Sequence, residues 1–325
     1  MTRSQTIAAR PTFLYRAYGT VLESDLPLPM LPAISAGTPV LKVRRQHEEW
    51  RSTAGDPVHE VIDEDGAVFY RVERQGDRYL WVYPEIGRFS VMRDGRLIEW
   101  SADAAKLSDA AAAVSGPVLG FALQLQGQTS LHGSAVVIEG GAVGLLAPSG
   151  YGKSTLGAAL LARGAALLTD DVLALELNDD GPRVGPSFPS MKLWPDALQH
   201  LFDGSTWEKL PRHASWLDKR VAPGSELGEV CDGARPLRAL YVLVPVTPEG
   251  HVAVRQLHGR DALLALLANG YMAQLLALEP ELLAQQLEVF RKVAEMTPVY
   301  ALACPRDLGR LNEVVDTITT AEPAE

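Results

Sequence analysis

Cysteine is scarce: Cys231 and Cys304 are the only two in 325 residues, and neither sits in a CxxC pair. That argues against a disulfide framework or a zinc ribbon and fits two isolated, buried thiols. Long apolar runs are also missing. The stretch 116–125 falls well short of the roughly 18 residues that a membrane-spanning helix needs. A basic excess is missing too, with 30 Lys and Arg against 40 Asp and Glu and a net charge of −10. Binding to nucleic acid or to an anionic membrane draws on clustered positive charge, so neither is expected as a partner. Arg3 and Arg10 are followed by no apolar segment, so no secretory signal is read and the expected compartment is the cytoplasm. No repeat of fixed period is visible.

What is present is an ordinary globular balance, 47% apolar and 22% charged. At about 100–200 residues per domain the length implies two domains or one large one. Residues 13–30 read as an edge strand followed by a proline turn, and 31–60 as irregular. The runs AVFYRVE, RYLWVY, RFSVMR and RLIEW within 67–100 read as an antiparallel meander. Its turns are marked by Gln75-Gly76-Asp77 and Asp94-Gly95, where glycine supplies the positive φ of tight hairpins. The meander's aromatics (Phe69, Tyr79, Trp81, Tyr83, Phe89, Trp100) are expected to pack against one another across the strands. An Ala-rich helical segment over 102–126 is interrupted at Gly116-Pro117. Beyond it come a hairpin over 131–147, a helix ending near Ala162, strands over 165–169 and 172–177, and a buried strand over 237–246. Helices are expected at 260–269, 279–296 and 306–319, with the Leu-rich 262–296 region serving core packing. Residues 1–10 and 319–325 read as tails. The division that follows is a β-rich unit over residues 1–103, a helical connector over 104–128, and an α/β unit with a mixed sheet over 129–325.

One segment carries chemistry. Residues 147–154, APSGYGKS, follow an apolar strand and open an Ala/Leu-rich helix, and match the pattern G/A-x-x-x-x-G-K-S/T. Gly150 and Gly152 allow main-chain N–H groups to converge, and the helix N-terminus adds its positive end, so Ser149, Gly150, Tyr151, Gly152, Lys153, Ser154 and Thr155 form an expected phosphate cradle. Lys153 reaches toward β- and γ-phosphates, and the Ser154 hydroxyl suits Mg²⁺. ATP and Mg²⁺ are the expected cofactors.

Asp170 and Asp171 end the next apolar strand, where open α/β sheets bind ligands. One carboxylate there can help hold Mg²⁺ and the other can take a proton from an attacking hydroxyl. Neighbouring strand residues point to opposite faces, so both line one site only if the strand breaks at the pair. His132, just before the hairpin that feeds the loop, is a further candidate. Lys192, Lys219 and Arg220 could neutralise a transferring phosphate. His200, His213, His251 and His258 show no ligand spacing and read as structural or exposed.

The run LHGSAVVIEGGAVGLLAPSGYGKSTLGAALLARGAALLTDD resembles the catalytic core of HPr kinase/phosphorylase in the order and spacing of its His-Gly, hairpin, S-G-x-G-K-S loop, R-G helix stop and Asp-Asp pair. The resemblance covers about residues 130–175. It implies His132 as the active-site histidine, Lys153 and Ser154 on phosphate and Mg²⁺, and the acidic pair as source of the catalytic base, with Asp171 as base and Asp170 on the metal. The opening FLYRAYGTVLESDLPLP and the run Lys192-Leu193-Trp194-Pro195-Asp196-Ala197 resemble HPr-kinase-like proteins of ribosomal peptide pathways, including lasso-peptide precursor kinases. A Glu-x-Arg-Gly-type run, the family's phosphorolysis signature, is missing after the acidic pair. The resemblance therefore implies a serine kinase acting on a peptide or small protein rather than on HPr, with the N-terminal unit recruiting it. It also implies a homo-oligomer, as the family forms. A kinase for a small alcohol and a nucleotide sensor without turnover are the rival readings.

Overall fold

The computed structural model describes residues 11–46, 57–63, 65–202, 205–215 and 217–320. The tails expected at 1–10 and 321–325 lie outside these, as do 47–56 of the segment read as irregular; Thr319 and Thr320 end the last helix.

The fold is α/β, and the described residues form two nine-stranded sheets and a small three-stranded one. In the first sheet the strands Val68–Gln75, Arg78–Tyr83, Gly87–Met92 and Leu97–Ala102 form the expected antiparallel meander, turning at Gly76 (φ +59°) and Gly95 (φ +69°). The strand expected at the start is a hairpin, Phe13–Ala17 with Thr20–Ser24, which turns through Tyr18 (φ +54°) and Gly19 (φ +74°). The irregular reading of 31–60 is corrected at three places: Ala33–Ile34, Leu41–Arg45 and His59–Ile62 are strands. Leu41–Arg45 inserts in parallel between Thr20–Ser24 and Leu97–Ala102, burying Leu41 and Val43. Its partners are distant in sequence, and five residues after Pro39 carry too short an alternation to announce a strand.

The meander's aromatics pack as expected. Trp81 faces Phe89 and Phe89 faces Trp100 in register, all fully buried. Phe121 meets Tyr79 edge-on, 5.0 Å between centroids. Phe121 belongs to the helical segment, in which Leu107–Ala113 and Leu119–Leu125 flank a distorted turn at Gly116 (ψ −109°) and Pro117, where proline cannot donate to the ladder.

The chain enters the second sheet at Thr129. The strand Thr129–Ile138 pairs antiparallel with Gly141–Leu146, and Gly141–Leu146 runs parallel to Arg235–Val246, which in turn runs parallel to Val299–Pro305. The sheet is thus mixed. Helices occupy Gly259–Ala268, Pro280–Met296 and Leu311–Thr320. The last starts later than position 306 because Asp307 accepts from the Gly309 N–H and caps a short 3₁₀ turn ahead of it. Among the described residues no helix is long and apolar enough to cross a membrane.

The two large sheets share apolar contacts. One core cluster joins Tyr79, Trp81 and Phe89 of the first sheet to Phe121, Val172, Phe188, Tyr271 and Leu275. Arg93 and Tyr79 of the first sheet both bind the Glu279 carboxylate, at 2.8 and 2.5 Å, just before the helix Pro280–Met296.

Candidate active site

The loop after Gly141–Leu146 turns at Gly150 (φ +82°) and Gly152 (φ +89°), a region that residues with a Cβ rarely adopt, and opens directly into the helix Lys153–Ala162. The apolar strand is buried and the loop tip 148–152 is exposed, so the helix N-terminus faces an accessible space. Ser149, Gly150, Gly152, Lys153, Ser154 and Thr155 line a cavity of about 100 Å³ there. Asp170, Asp171, His132, Lys192, Trp194 and Lys219 complete its walls. Tyr151 is not part of them. Its ring borders a neighbouring cavity with Trp194 and Arg306, whose guanidinium lies 5.8 Å from the ring centre.

Lys153 is buried, and its ammonium has three partners: the carbonyls of Ala147 (2.7 Å) and Pro148 (3.0 Å) and Nε2 of His132 (3.1 Å). His132 Nδ1 lies 3.0 Å from the Asp171 carbonyl. A carbonyl only accepts, so Nδ1 carries the ring proton and Nε2 is free to accept from Lys153. Burial pushes the His132 pKa below its ordinary value, against the pull of Asp171, which agrees with a neutral ring. Burial likewise lowers Lys153 to about 8, although Asp171 and Asp170 raise it. Gly133 follows His132 for a steric reason, since a Cβ there would meet the Leu145 carbonyl at 2.5 Å.

The acidic pair interrupts the strand. Ala166–Thr169 and Val172–Asn178 both pair with Thr129–Ile138, and between them Asp171 takes φ +80°. This break turns both carboxylates to the site. Asp170, 2% exposed, accepts from Ser134 (2.5 Å) and Ser154 (2.9 Å) through Oδ1 and from the Lys192 N–H (3.0 Å) through Oδ2. Asp171 pairs with the Lys192 ammonium at 2.9 Å and faces His132 Nδ1 at 3.5 Å. Burial alone would raise the Asp171 pKa, but Lys192, His132 and Lys153 outweigh it and hold the carboxyl well below the usual carboxylate range.

The small sheet Ser190–Leu193, Leu217–Pro223 and Arg212–Ala214 delivers the remaining groups. Lys192 stands on its first strand and Lys219, 5.5 Å over the Trp194 ring, on its second. Arg220 points elsewhere, to the Leu210 carbonyl (3.4 Å) and Asp218 (3.2 Å), because successive strand residues face opposite ways. His213, read from the sequence as structural or exposed, lies on the third strand and lines a second cavity of about 510 Å³. That cavity also touches Asp171, Lys192 and His132, so these three residues stand between the two spaces. Burial and nearby Lys192 lower His213 to about 3. No signal in its own sequence neighbourhood marks His213, since the strand pairing that places it is non-local.

The oxygens of Ser154 and Asp170, 2.9 Å apart, are a hard donor pair of the kind Mg²⁺ accepts alongside phosphate and water. Among the described residues no group of three or more His, Cys, Asp or Glu could hold a metal by itself, so an all-protein cage is not what this donor set offers.

No protein-family model and no curated protein matches the chain. Among solved structures it is similar to the HPr(Ser) kinase/phosphatase from Coxiella burnetii, at 16% identity and a TM-score of 0.31, over 59% of this chain and 86% of that one. A likeness this distant says nothing of substrate or mechanism.

Proposed function

We propose that this chain is an ATP-dependent kinase that transfers the γ-phosphate to a serine hydroxyl of a peptide or small protein. The observation that carries the reading is the shared wall: Asp171, His132 and Lys192 border both the loop cavity and the larger cavity beside it. A phosphate donor in the first space and an acceptor in the second would meet at Asp171.

The main-chain N–H groups of 149–154 and the helix N-terminus would bind the phosphates. The Lys153 ammonium would exchange the Ala147 and Pro148 carbonyls for phosphate oxygens. Ser154 and Asp170 would hold Mg²⁺, which when bound supplies neutralising charge. Lys192 and Lys219 add positive charge beside the transferring group. The acceptor oxygen forms its bond to Pγ as the bond from Pγ to the β-bridging oxygen breaks; the hydroxyl proton passes to the Asp171 carboxylate and ADP leaves. The pairing with Lys192 makes Asp171 a weak base. Phosphoryl transfer tolerates this, since its loose transition state needs little proton removal before the new bond forms.

The further assignment to a ribosomal precursor peptide of lasso type, recruited by residues 1–103, rests on the resemblance of the opening segment and of 192–197; a homo-oligomer is proposed from the HPr kinase resemblance and a cytoplasmic location from the sequence reading of signal and membrane segments. The test is mass spectrometry of candidate serine peptides after incubation with the chain, ATP and Mg²⁺. Phosphoserine formed by wild type and lost in Asp171→Asn supports the kinase. Nucleotide binding without any transfer would leave the sensor reading.

A further inference from the structure

The larger cavity has a mixed lining. Among the described residues its charged groups, Asp171 and Lys192, sit together, bordering the loop cavity as well, and neutralise each other at 2.9 Å. Much of the remaining lining is apolar or aromatic, with Phe69, Tyr70, Tyr83 and Val61 of the first sheet and Met272 beside the polar Asn269 and Gln274. The three rings brace one another: Phe69 meets Tyr83 edge-on at 5.6 Å, and Tyr70 lies 5.0 Å from Tyr83. Burial raises the Tyr70 pKa to about 12 and lowers that of His59, so these groups are neutral near pH 7. His213 Nδ1 is buried with no hydrogen-bond partner among the described residues, an unmet capacity in the cavity wall. A volume of about 510 Å³ lies in the range of small-ligand sites and admits a short segment, not a folded domain.

We propose that this cavity binds a bulky apolar or aromatic side chain next to the acceptor serine, so that the first sheet selects the substrate by its apolar flank; the inference rests on the kinase reading above. A charged flank would lose hydration against Phe69 and Tyr83, and the charged groups among the described lining residues, Asp171 and Lys192, already pair with each other. An aliphatic or aromatic flank gains by the same burial.

The test uses the full chain and capped pentapeptides with a central serine flanked by Gly, Leu, Phe, Asp or Lys. Both phosphate transfer and equilibrium binding by calorimetry are read. Expected is a kcat/KM about 10- to 100-fold higher for Leu or Phe flanks than for Gly, the range that one filled apolar pocket spans, with Asp and Lys no better than Gly. Val61→Trp, on an edge strand and partly exposed, fills the cavity and should bring the Phe and Gly peptides to parity. Flank-independent transfer by wild type, or unchanged discrimination in Val61→Trp, overturns the proposal and leaves the kinase standing. Flank-dependent binding that Val61→Trp abolishes, with no peptide phosphorylated, keeps the pocket and overturns the kinase. Neither flank-dependent binding nor transfer overturns both.

Discussion

Asp170 and Asp171 are neighbours in sequence, yet Asp170 is buried against Ser134 and Ser154 while Asp171 pairs with Lys192 at 2.9 Å. The backbone makes this possible. With φ +80° at Asp171 the alternation of a strand fails for one residue, and both carboxylates face the same space.

That conformation separates two roles of Asp171. Asp171→Asn, Asp171→Ala and Asp171→Gly all remove the carboxylate and should lower phosphate transfer by roughly 10²- to 10⁴-fold. Their stabilities should differ, because the lost ion pair is common to all three while the positive φ is not. Glycine adopts it freely, asparagine tolerates it, and alanine pays about 1 kcal/mol. Urea denaturation should rank Gly and Asn above Ala; equal stabilities would mean that the turn relaxes.

Asp170 acts through satisfied hydrogen bonds. Asp170→Ala strands two serine hydroxyls and the Lys192 N–H in a buried setting, at about 1–3 kcal/mol for an unsatisfied group. Asp170→Asn keeps the shape and an acceptor oxygen but loses the charge that would face Mg²⁺. It should melt closer to wild type while its Mg²⁺ requirement rises by at least about tenfold, read as the metal concentration at half-maximal activity. An unaltered Mg²⁺ titration would remove Asp170 from the metal site.

Much of this arrangement was legible in the sequence, for physical reasons that differ by element. The loop, the hairpin before it and the helix after it are contiguous, so glycine placement and apolar patterning expose them. The Asp pair was legible as a strand end, and the requirement that the strand break there follows from alternation alone. Lys192, Lys219 and His213 are another matter. They converge because Ser190–Leu193, Arg212–Ala214 and Leu217–Pro223 pair over gaps of up to some thirty residues, a register that no local pattern encodes. Leu41–Arg45 escaped for the same reason. Tyr83 shows a further limit: patterning marks it as packed, which it is, and says nothing of the cavity along its edge.

Lys192 is the strongest of the charges holding Asp171 ionised, so its removal should show in the pH profile. Lys192→Met leaves the backbone N–H to Asp170 in place but lets burial raise the Asp171 carboxyl. Protonated Asp171 cannot take the acceptor proton, so the acid limb of kcat/KM should move to higher pH than in wild type. An unshifted limb, with only a lower plateau, would mean that Lys192 serves the phosphate and not the base.

Lys153 predicts a pH dependence of stability with the opposite sense to that of a salt-bridged lysine. Its pKa is lowered from 10.5 to about 8 in the folded chain, chiefly by burial. Below pH 8 the ammonium is charged in both folded and unfolded states, and the folded state bears the full cost of burying it. Between about pH 8 and 10.5 the unfolded chain keeps the proton and the folded chain releases it, so unfolding binds protons and stability rises with pH. The full span corresponds to about 3 kcal/mol at 1.36 kcal/mol per unit. Lys153→Met lacks the titrating group, so the difference in unfolding free energy between wild type and Lys153→Met, followed from pH 7 to 10, should move in favour of wild type. Bound nucleotide should flatten that change over the same range, since phosphate charge holds the proton on Lys153. A difference that is flat without nucleotide would mean that solvent reaches Lys153 more freely than its contacts with Ala147, Pro148 and His132 indicate.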